Sequence, residues 1–350
     1  MNDTRVDIII IGAGLTGLTL AHKLKEEGKE ILVLEAAERI GGRIHSLKTN
    51  DGTFVDLGAT WFFPEFRNLL RLLKKLKVEL CEQYSSGYAL FESHMRVPAR
   101  KIKPSEINSF RIKGGASRIV DSLRNTLNTE DIQMGQRVQE IRYTPEAMEV
   151  VTNRKSFKCN KVITTLPPQL LLKSIKFSPS LPAELAGIME STHTWMAGVI
   201  TAAVTYKNPF WREKGLSGAL SSNVGPFGKL FDQSTSHGKN GALVGVLQEK
   251  FARLSFEQRK QKVIDQLVRV FGEEAKDCIE YRDTVWSRED LTSIVNPVKL
   301  PRHNNNGHQM YQAPFMDGRL FIGGSETATV GAGYMEGAVN SANTILKYLL

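Results

Sequence analysis

Three glycines spaced as Gly12-x-Gly14-x-x-Gly17 separate an apolar run, Val6-Asp7-Ile8-Ile9-Ile10-Ile11, from a stretch whose apolar residues Leu15, Leu18, Ala21 and Leu24 recur at helical spacing. That spacing suits phosphate chemistry. Gly12 permits a tight turn, Gly14 lets backbone approach a pyrophosphate, and Gly17 lets helix pack on strand. The free N–H groups of the first helical turn, on Leu15 and Thr16, then face the anion. A turn at Gly28 leads into a second apolar run, Glu30-Ile-Leu-Val-Leu, which ends at Glu35 with Ala36 beside it. Glu35 lies 18 residues past Gly17, close to the separation expected of an acid that accepts a ribose hydroxyl bond, and its charge disfavours a 2′-phosphate. Strand, glycine turn, helix, strand and acid in this order predict a dinucleotide site.

The next residues, Glu35-Ala-Ala-Glu38-Arg39-Ile40-Gly41-Gly42-Arg43, resemble the E-x(3)-R-x-G-G-R extension of flavoproteins related to monoamine and polyamine oxidases. Further stretches resemble the same flavin-dependent amine oxidase family. They are Phe54-Val-Asp56-Leu-Gly58-Ala59-Thr60-Trp61, the turn at Gly114-Gly115, Trp195-Met196, and Tyr206-Lys-Asn-Pro209-Phe210-Trp211-Arg212. The C-terminal run Gly318-Arg-Leu-Phe-Ile-Gly323-Gly324-Ser325-Glu326-Thr327-Ala328-Thr329, followed by Gly333-Tyr334-Met335-Glu336-Gly337-Ala338-Val339, is nearly the monoamine oxidase form.

The resemblance implies an α/β fold: a Rossmann-like FAD-binding domain with a parallel sheet, interleaved with a smaller α+β substrate domain. It assigns residues 1–80, 111–179 and 286–350 to the first and 81–110 with 180–285 to the second. Arg43 and the Gly41–Gly42 backbone are expected at the FAD pyrophosphate, Arg39 among the other cofactor contacts, and Gly58, Ala59, Thr60 and Trp61 beside the flavin ring. Val138 is expected at the adenine end through its backbone, and Glu326 at a ribityl hydroxyl. Trp286, Gly324, Ser325, Gly333, Tyr334, Met335 and Ala338 complete the expected cofactor contacts. The helix beginning near Met335 turns its positive end toward the pyrimidine edge of the flavin, where charge gathers on reduction.

The implied reaction is oxidation of a neutral amine to an imine, with oxygen reoxidising the flavin and hydrogen peroxide released. The cofactor carries the hard step, and the protein supplies orientation and a dry pocket. Tyr334, Thr201 and Trp195 are the expected residues around the substrate. Thr201 stands where many relatives have a lysine that holds a water at flavin N5. Val295 aligns with the cysteine that tethers flavin covalently in monoamine oxidase, so FAD is expected to be non-covalent. Asn296 replaces one tyrosine of the aromatic cage, leaving Tyr334. Two other readings stay open: a flavin dehydrogenase or desaturase acting on a non-amine substrate, and an FAD-binding protein without turnover.

Periodicity supplies the supporting elements. Arg137–Tyr143 and Met148–Thr152 alternate as a hairpin about Thr144–Ala147, and Lys161–Leu166 reads as a strand returning to the nucleotide domain. Ser255 with Gln258 predicts a capped helix buried through Val263, Ile264, Leu267, Val268 and Phe271. A last helix buries Ala338, Ala342, Ile345, Leu346 and Leu349. Phe62, Trp61, Trp195, Tyr88 and Tyr311 are expected mostly as core packing, and His303 and His308 in a surface loop, with His308 within reach of the flavin edge as an acid–base group.

Composition excludes several classes. Hydrophobic residues make 41% and charged residues 24% of the 350, which suits a globular protein and not a disordered tail or coiled coil. Cys81, Cys159 and Cys278 form no CxxC pair, and the seven histidines no ligand pattern, so neither metal nor disulfide is expected, and a cytoplasmic location is. Net charge is +9, with basic clusters at Arg67–Lys77 and Arg96–Arg118. Both read as solvated faces without nucleic-acid signatures. That charge disfavours polyamines. The longest apolar stretch, Ile8–Leu20, is too short and glycine-rich to span a bilayer, so no membrane anchor is expected. Oligomeric state has no signal in the sequence.

Overall fold

The computed structural model describes residues 5–103, 108–235, 238–294 and 300–350. In chain order its first strands are β1 (Arg5–Ile11), β2 (Ile31–Leu34), β3 (Ser46–Lys48), β4 (Phe54–Asp56), β5 (Leu80–Glu82), β6 (Tyr88–Glu92), β7 (Arg100–Ile102) and β8 (Phe110–Ile112). They are followed by β9 (Ile132–Gln133), β10 (Val138–Tyr143), β11 (Met148–Thr152), β12 (Ser156–Thr164) and β13 (Lys176–Ser178). The last group is β14 (Ile200–Tyr206), β15 (Leu216–Ser222), β16 (Phe227–Asp232), β17 (Gly241–Leu247), β18 (Glu280–Val285) and β19 (Leu320–Ile322). The α-helices are α1 (Leu15–Glu26), α2 (Arg67–Lys75), α3 (Ser117–Arg124), α4 (Pro168–Ser174), α5 (Ala183–Ser191), α6 (Phe210–Glu213), α7 (Phe256–Phe271) and α8 (Met335–Leu349).

The β-branched run of β1 forms the centre of an eight-stranded sheet, parallel to β12 on one side and β2 on the other. β12 does double service. Its first half pairs antiparallel with β11, and its second half pairs parallel with β19, Ile163 opposite Phe321. Alternate side chains of β1 therefore enter two cores. Ile8 and Ile10 meet α1, α3 and α8, whereas Ile9 and Ile11 meet the β10–β11 hairpin, α4 and α5. Alternation of this kind follows from the two-residue period of a strand covered on both faces.

Leu15, Leu18, Ala21 and Leu24 are buried along α1 as their spacing requires. α7 begins with the expected capping box between Ser255 and Gln258. Thr144 N–H donates to the Ala147 carbonyl across the β10–β11 turn at 3.0 Å.

A second, seven-stranded sheet runs in the order β18-β14-β17-β16-β15-β6-β7, backed by α7. Its strands come from residues 88–102 and 200–285. α5 lies in the stretch the sequence assigns to the substrate domain, yet Leu185 and Met189 pack into a core of the first sheet. β4 joins the two bodies: Val55 and Leu57 pack against Ala203, Ala242 and Val244 of β14 and β17.

Candidate active site

The carboxyl ends of β1, β2 and β12 open onto one cavity of about 580 Å³. This is where an open parallel sheet places its ligand, at the point where neighbouring connections diverge to opposite faces. Gly12 turns there with φ +103°, and a Cβ on it would come within 2.8 Å of the Thr165 hydroxyl. A Cβ on Gly17 would lie 2.0 Å from the Gly12 carbonyl, so Gly17 shapes the turn from behind and does not border the cavity. A Cβ on Gly14 would meet nothing within 4 Å. Gly14 keeps the floor clear at the amino end of α1, which no side chain caps.

Glu35 is held where the sequence places it. Its Oε2 accepts from Ala13 N–H at 2.7 Å and its Oε1 from Ala37 N–H at 2.8 Å. Gly12, Gly14, Leu15, Thr16, Glu35, Ala36, Arg39, Gly42, Arg43 and Val138 all border the cavity, as do Gly58, Ala59, Thr60, Trp61, Trp195, Thr201, Ser325, Gly333, Tyr334, Met335 and Ala338. Met335 opens α8, whose amino end also lacks a side-chain cap. Two uncapped helix ends thus face one cavity, matching a ligand with charge at two places.

Besides Gly17, three expected contacts stand behind the wall. Gly324, at φ +136°, carries the chain past the carbonyls of Thr165 and Leu166. Trp286 is buried, its Nε1 donating to the Leu57 carbonyl at 2.9 Å and to Thr201 Oγ1 at 3.1 Å. Glu326 is fully buried and pairs with Arg43: Arg43 Nη2 donates to Glu326 Oε2 at 2.9 Å and to Ser325 Oγ at 3.0 Å, and Nη1 to the Trp195 carbonyl at 3.1 Å. Burial alone would raise the Glu326 pKa, but the Arg43 charge and the hydrogen bonds from Arg43 and Ser325 outweigh it and hold the carboxyl below its ordinary value.

Thr201 Oγ1 donates to the Leu57 carbonyl. The hydroxyl is therefore tied to the chain that leads into Gly58–Trp61 and is not free to move a proton. His308 Nδ1 accepts from Met310 N–H at 3.3 Å and caps a short turn; it does not border the cavity. His303 stacks on Tyr334, ring centroids 6.0 Å apart, and its backbone N–H donates to His193 Nδ1 at 3.3 Å. Burial, with His303 nearby, lowers the His193 pKa. Tyr88 is exposed and not in the core, whereas Phe62 and Tyr311 are buried as expected. Val295 and Asn296 lie outside the described residues.

Sequence reasoning missed several parts of the site. The loop Thr165-Leu166-Pro167 after β12, Gln136, and the stretch Arg288–Thr292 also border the cavity. The loop carried a usable signal, because it follows a strand that pairs with β1. Two clamps were also missed. Trp61 Nε1 donates to Gln83 Oε1 at 2.8 Å, and Gln83 Nε2 donates to the Asp232 carbonyl at 2.7 Å. Asp56 N–H donates to Gln233 Oε1 at 2.9 Å, while Gln233 Nε2 donates to Asp56 Oδ2 at 2.7 Å. Burial raises the Asp56 pKa against the opposing pull of its bonds from Ser46, Ala116 and Gln233.

Residues 90–345 match the flavin containing amine oxidoreductase family, and residues 10–76 match the NAD(P)-binding Rossmann-like domain. The chain belongs to the flavin-containing amine oxidoreductases. This amine oxidoreductase is an FAD-dependent enzyme of amine oxidase type. It is 26% identical to a flavin-containing amine oxidase of Oncorhynchus mykiss, with 98% of this chain and 85% of that protein covered. It is 24% identical to a probable flavin-containing monoamine oxidase A of Dictyostelium discoideum, with 98% and 97% covered. Its fold superposes on putrescine oxidase with a TM-score of 0.85 at 20% identity, 99% of each chain covered. Cyclohexylamine oxidase from Brevibacterium oxydans superposes equally well, TM-score 0.85 at 18% identity, with 98% of each chain covered. The alignment with the Oncorhynchus protein runs over 456 positions, more than the 350 residues of this chain, so that relative carries stretches without counterpart here.

The residues present fit FAD. Glu35 faces the cavity from the end of β2, Gly14 leaves open space, and two uncapped helix ends stand at its wall. Among the described residues no cluster of histidine, cysteine, aspartate or glutamate could hold a metal, and no helix is long and apolar enough to cross a membrane. The three cysteines are free and none borders the cavity.

Proposed function

We propose that this enzyme oxidises a small apolar monoamine at the carbon next to nitrogen, giving the imine, with oxygen as acceptor and hydrogen peroxide released. One observation carries the choice of substrate. Trp61, Phe63, Trp195, Met196, Val246 and Tyr334 contribute apolar wall, and the carboxylates on the wall are Glu35, Glu289 and Asp290. Glu35 and Glu289 both lie close enough to Arg39 to influence it. Asp290 is solvent-exposed, so a second ammonium, as in a diamine, would find no buried, unpaired anion on the wall and would lose its hydration against the aromatic residues.

FAD, when bound non-covalently, supplies the two-electron acceptor. The protein's own residues orient and dry the site. Trp61 is fixed by Gln83 and by the Phe231 ring, 4.9 Å away. Thr201 and Trp286 are hydrogen-bonded to the Leu57 carbonyl and offer no acid or base. An amine must therefore shed its proton before it reacts. Turnover per amine, kcat/KM, should rise with pH until the free amine is itself neutral, and a bell with an acid limb near pH 6.5 would show that a histidine takes part.

Binding is proposed for Gly12, Gly14, Leu15, Thr16, Glu35, Arg39, Gly42 and Arg43 at the nucleotide end, and substrate contact for Tyr334 and Trp195. The two-body division of the chain, with α5 moved to the nucleotide body, is part of the same proposal. Free thiols at Cys81, Cys159 and Cys278 support a cytoplasmic location. A second reading, a dehydrogenase that passes electrons to another acceptor, is favoured by the tied Thr201, which puts no cation on that part of the wall.

Anaerobic titration of the FAD-loaded protein with benzylamine, a linear alkylamine and putrescine tests the proposal. Bleaching by the monoamines with recovery in air is expected. Bleaching by putrescine alone would overturn the substrate class. Bleaching with no recovery in air would select the dehydrogenase, and no bleaching by any amine would sink the amine reading altogether.

A further inference from the structure

Part of the basic run that sequence alone reads as a solvated face folds into an exposed hairpin at a sheet edge. β6 and β7 pair antiparallel, with Phe91 opposite Arg100, Leu90 opposite Lys101 and Ala89 opposite Ile102. β7 is the outermost strand of the second sheet. From Ser93 to Lys103 the chain carries Arg96, Arg100, Lys101 and Lys103 and no acid, and all four cations are exposed. None of them has a carboxylate partner among the described residues. Glu92, the acid that precedes this run, is buried and already satisfied by Arg269, Ser222 and Gln266, and Glu106, which follows it, lies outside the described residues. Arg100 instead lies 5.5 Å from the Phe91 ring centre and Lys101 5.8 Å from that of Tyr88.

The same hairpin exposes large apolar side chains. Met95 at its tip is 61% exposed and Val97 51%, with Tyr88 at 49% and Ile102 at 39% on its flank. Apolar groups held out between unpaired cations match neither a plain solvated face nor a core. A strand-adding peptide is a poor occupant, because β7 has three residues, two of them cationic, and Pro98 precedes it. An apolar tip, a tyrosine at the flank and flanking cations match the layering of a bilayer whose lipids are anionic.

We propose that the β6–β7 hairpin docks this enzyme on anionic phospholipid surfaces. Met95 and Val97 dip to the acyl boundary, Tyr88 sits at headgroup level, and Arg96, Arg100, Lys101 and Lys103 meet the phosphates. No residue of the hairpin borders the cavity, so docking and catalysis separate cleanly.

Flotation of the FAD-loaded protein with vesicles of phosphatidylcholine, and with vesicles also containing phosphatidylglycerol, tests the proposal. Partition to the phosphatidylglycerol vesicles alone is expected. The triple variant R96E/R100E/K101E should weaken it by about a hundredfold, and M95S/V97S by about tenfold, both with FAD content and amine turnover unchanged. Absence of partition, or partition indifferent to both variants, would overturn it. So would loss with the charge reversal but not with M95S/V97S, together with equal binding to duplex DNA. That result would make the partner a soluble polyanion without an acyl phase.

Discussion

Arg43 and Glu326 form the buried ion pair nearest the cofactor cavity, and each depends on the other. Removing one partner of a buried pair leaves an uncompensated charge and typically costs about 3–5 kcal/mol. Arg43 retains some solvent contact, its side chain being 19% exposed, so Glu326→Gln should cost about 3 kcal/mol in the cofactor-free protein. The acid dependence follows from the same pair. Because the folded-state pKa of Glu326 is depressed, its contribution is complete above the unfolded value of about 4.3 and is lost as pH falls through the lowered one. Urea unfolding at a series of acid pH values should show this decline in the parent and a smaller one in E326Q. An unchanged acid decline in the variant would remove Glu326 from the account. Asp56 poses the converse case. Asn at that position would turn an amide N–H₂ toward the Gln233 amide or the Ala116 N–H, both donors to Asp56 at present. Asp56→Asn should therefore destabilise by about 1–3 kcal/mol, read as a shift in urea midpoint, although it relieves a costly buried charge.

Glu336 shows what a motif residue does at the level of elements. It lies in the first turn of α8, yet its carboxylate serves α2. Oε1 accepts from Asn68 N–H at 3.1 Å and Asn68 Nδ2 at 2.8 Å, and Oε2 from Leu69 N–H at 2.8 Å. α2 has no side-chain cap of its own and no acid in its first turn, so Glu336 satisfies donors that would otherwise be buried without partners. Glu336→Ala should cost about 2–4 kcal/mol, because several hydrogen bonds to a charged acceptor disappear together. Calorimetry would show it, and a loss under about 1 kcal/mol would mean water replaces the carboxylate. Helices and strands with their own periodicity were legible: α1, α7, α8 and the β10–β11 hairpin stand where the apolar spacing puts them. The clamps between elements were not. Asp56 and Gln233 are 177 positions apart, and no local pattern marks two residues that meet only after the sheets have packed. The glycine turn and Glu35 were legible for the opposite reason, since phosphate and ribose recognition are completed within one strand–helix–strand unit.

At the scale of the whole molecule, FAD is expected to act as a stabiliser as well as a reagent. Its cavity borders residues from both sheets, including Ile11 and Leu34 of the first and Thr201 and Val246 of the second. A ligand that binds only the folded chain adds about 2.7 kcal/mol when present at a hundred times its Kd. Thermal melts should therefore rise with FAD concentration, and the two bodies should melt together when it is bound. A melt unmoved by FAD would contradict the assignment of the cavity.

β19 and α8 complete the first body, β19 at the second half of β12 and α8 against α1, yet they lie in the last tenth of the chain. A chain made from its amino end forward leaves the second half of β12 without its β19 neighbour, and the apolar side of α1 without α8, until every strand of the second sheet has been made. The nucleotide fold therefore cannot close, nor can the cofactor be enclosed, ahead of the second sheet, and the half-made chain carries an open strand edge of the kind that invites aggregation.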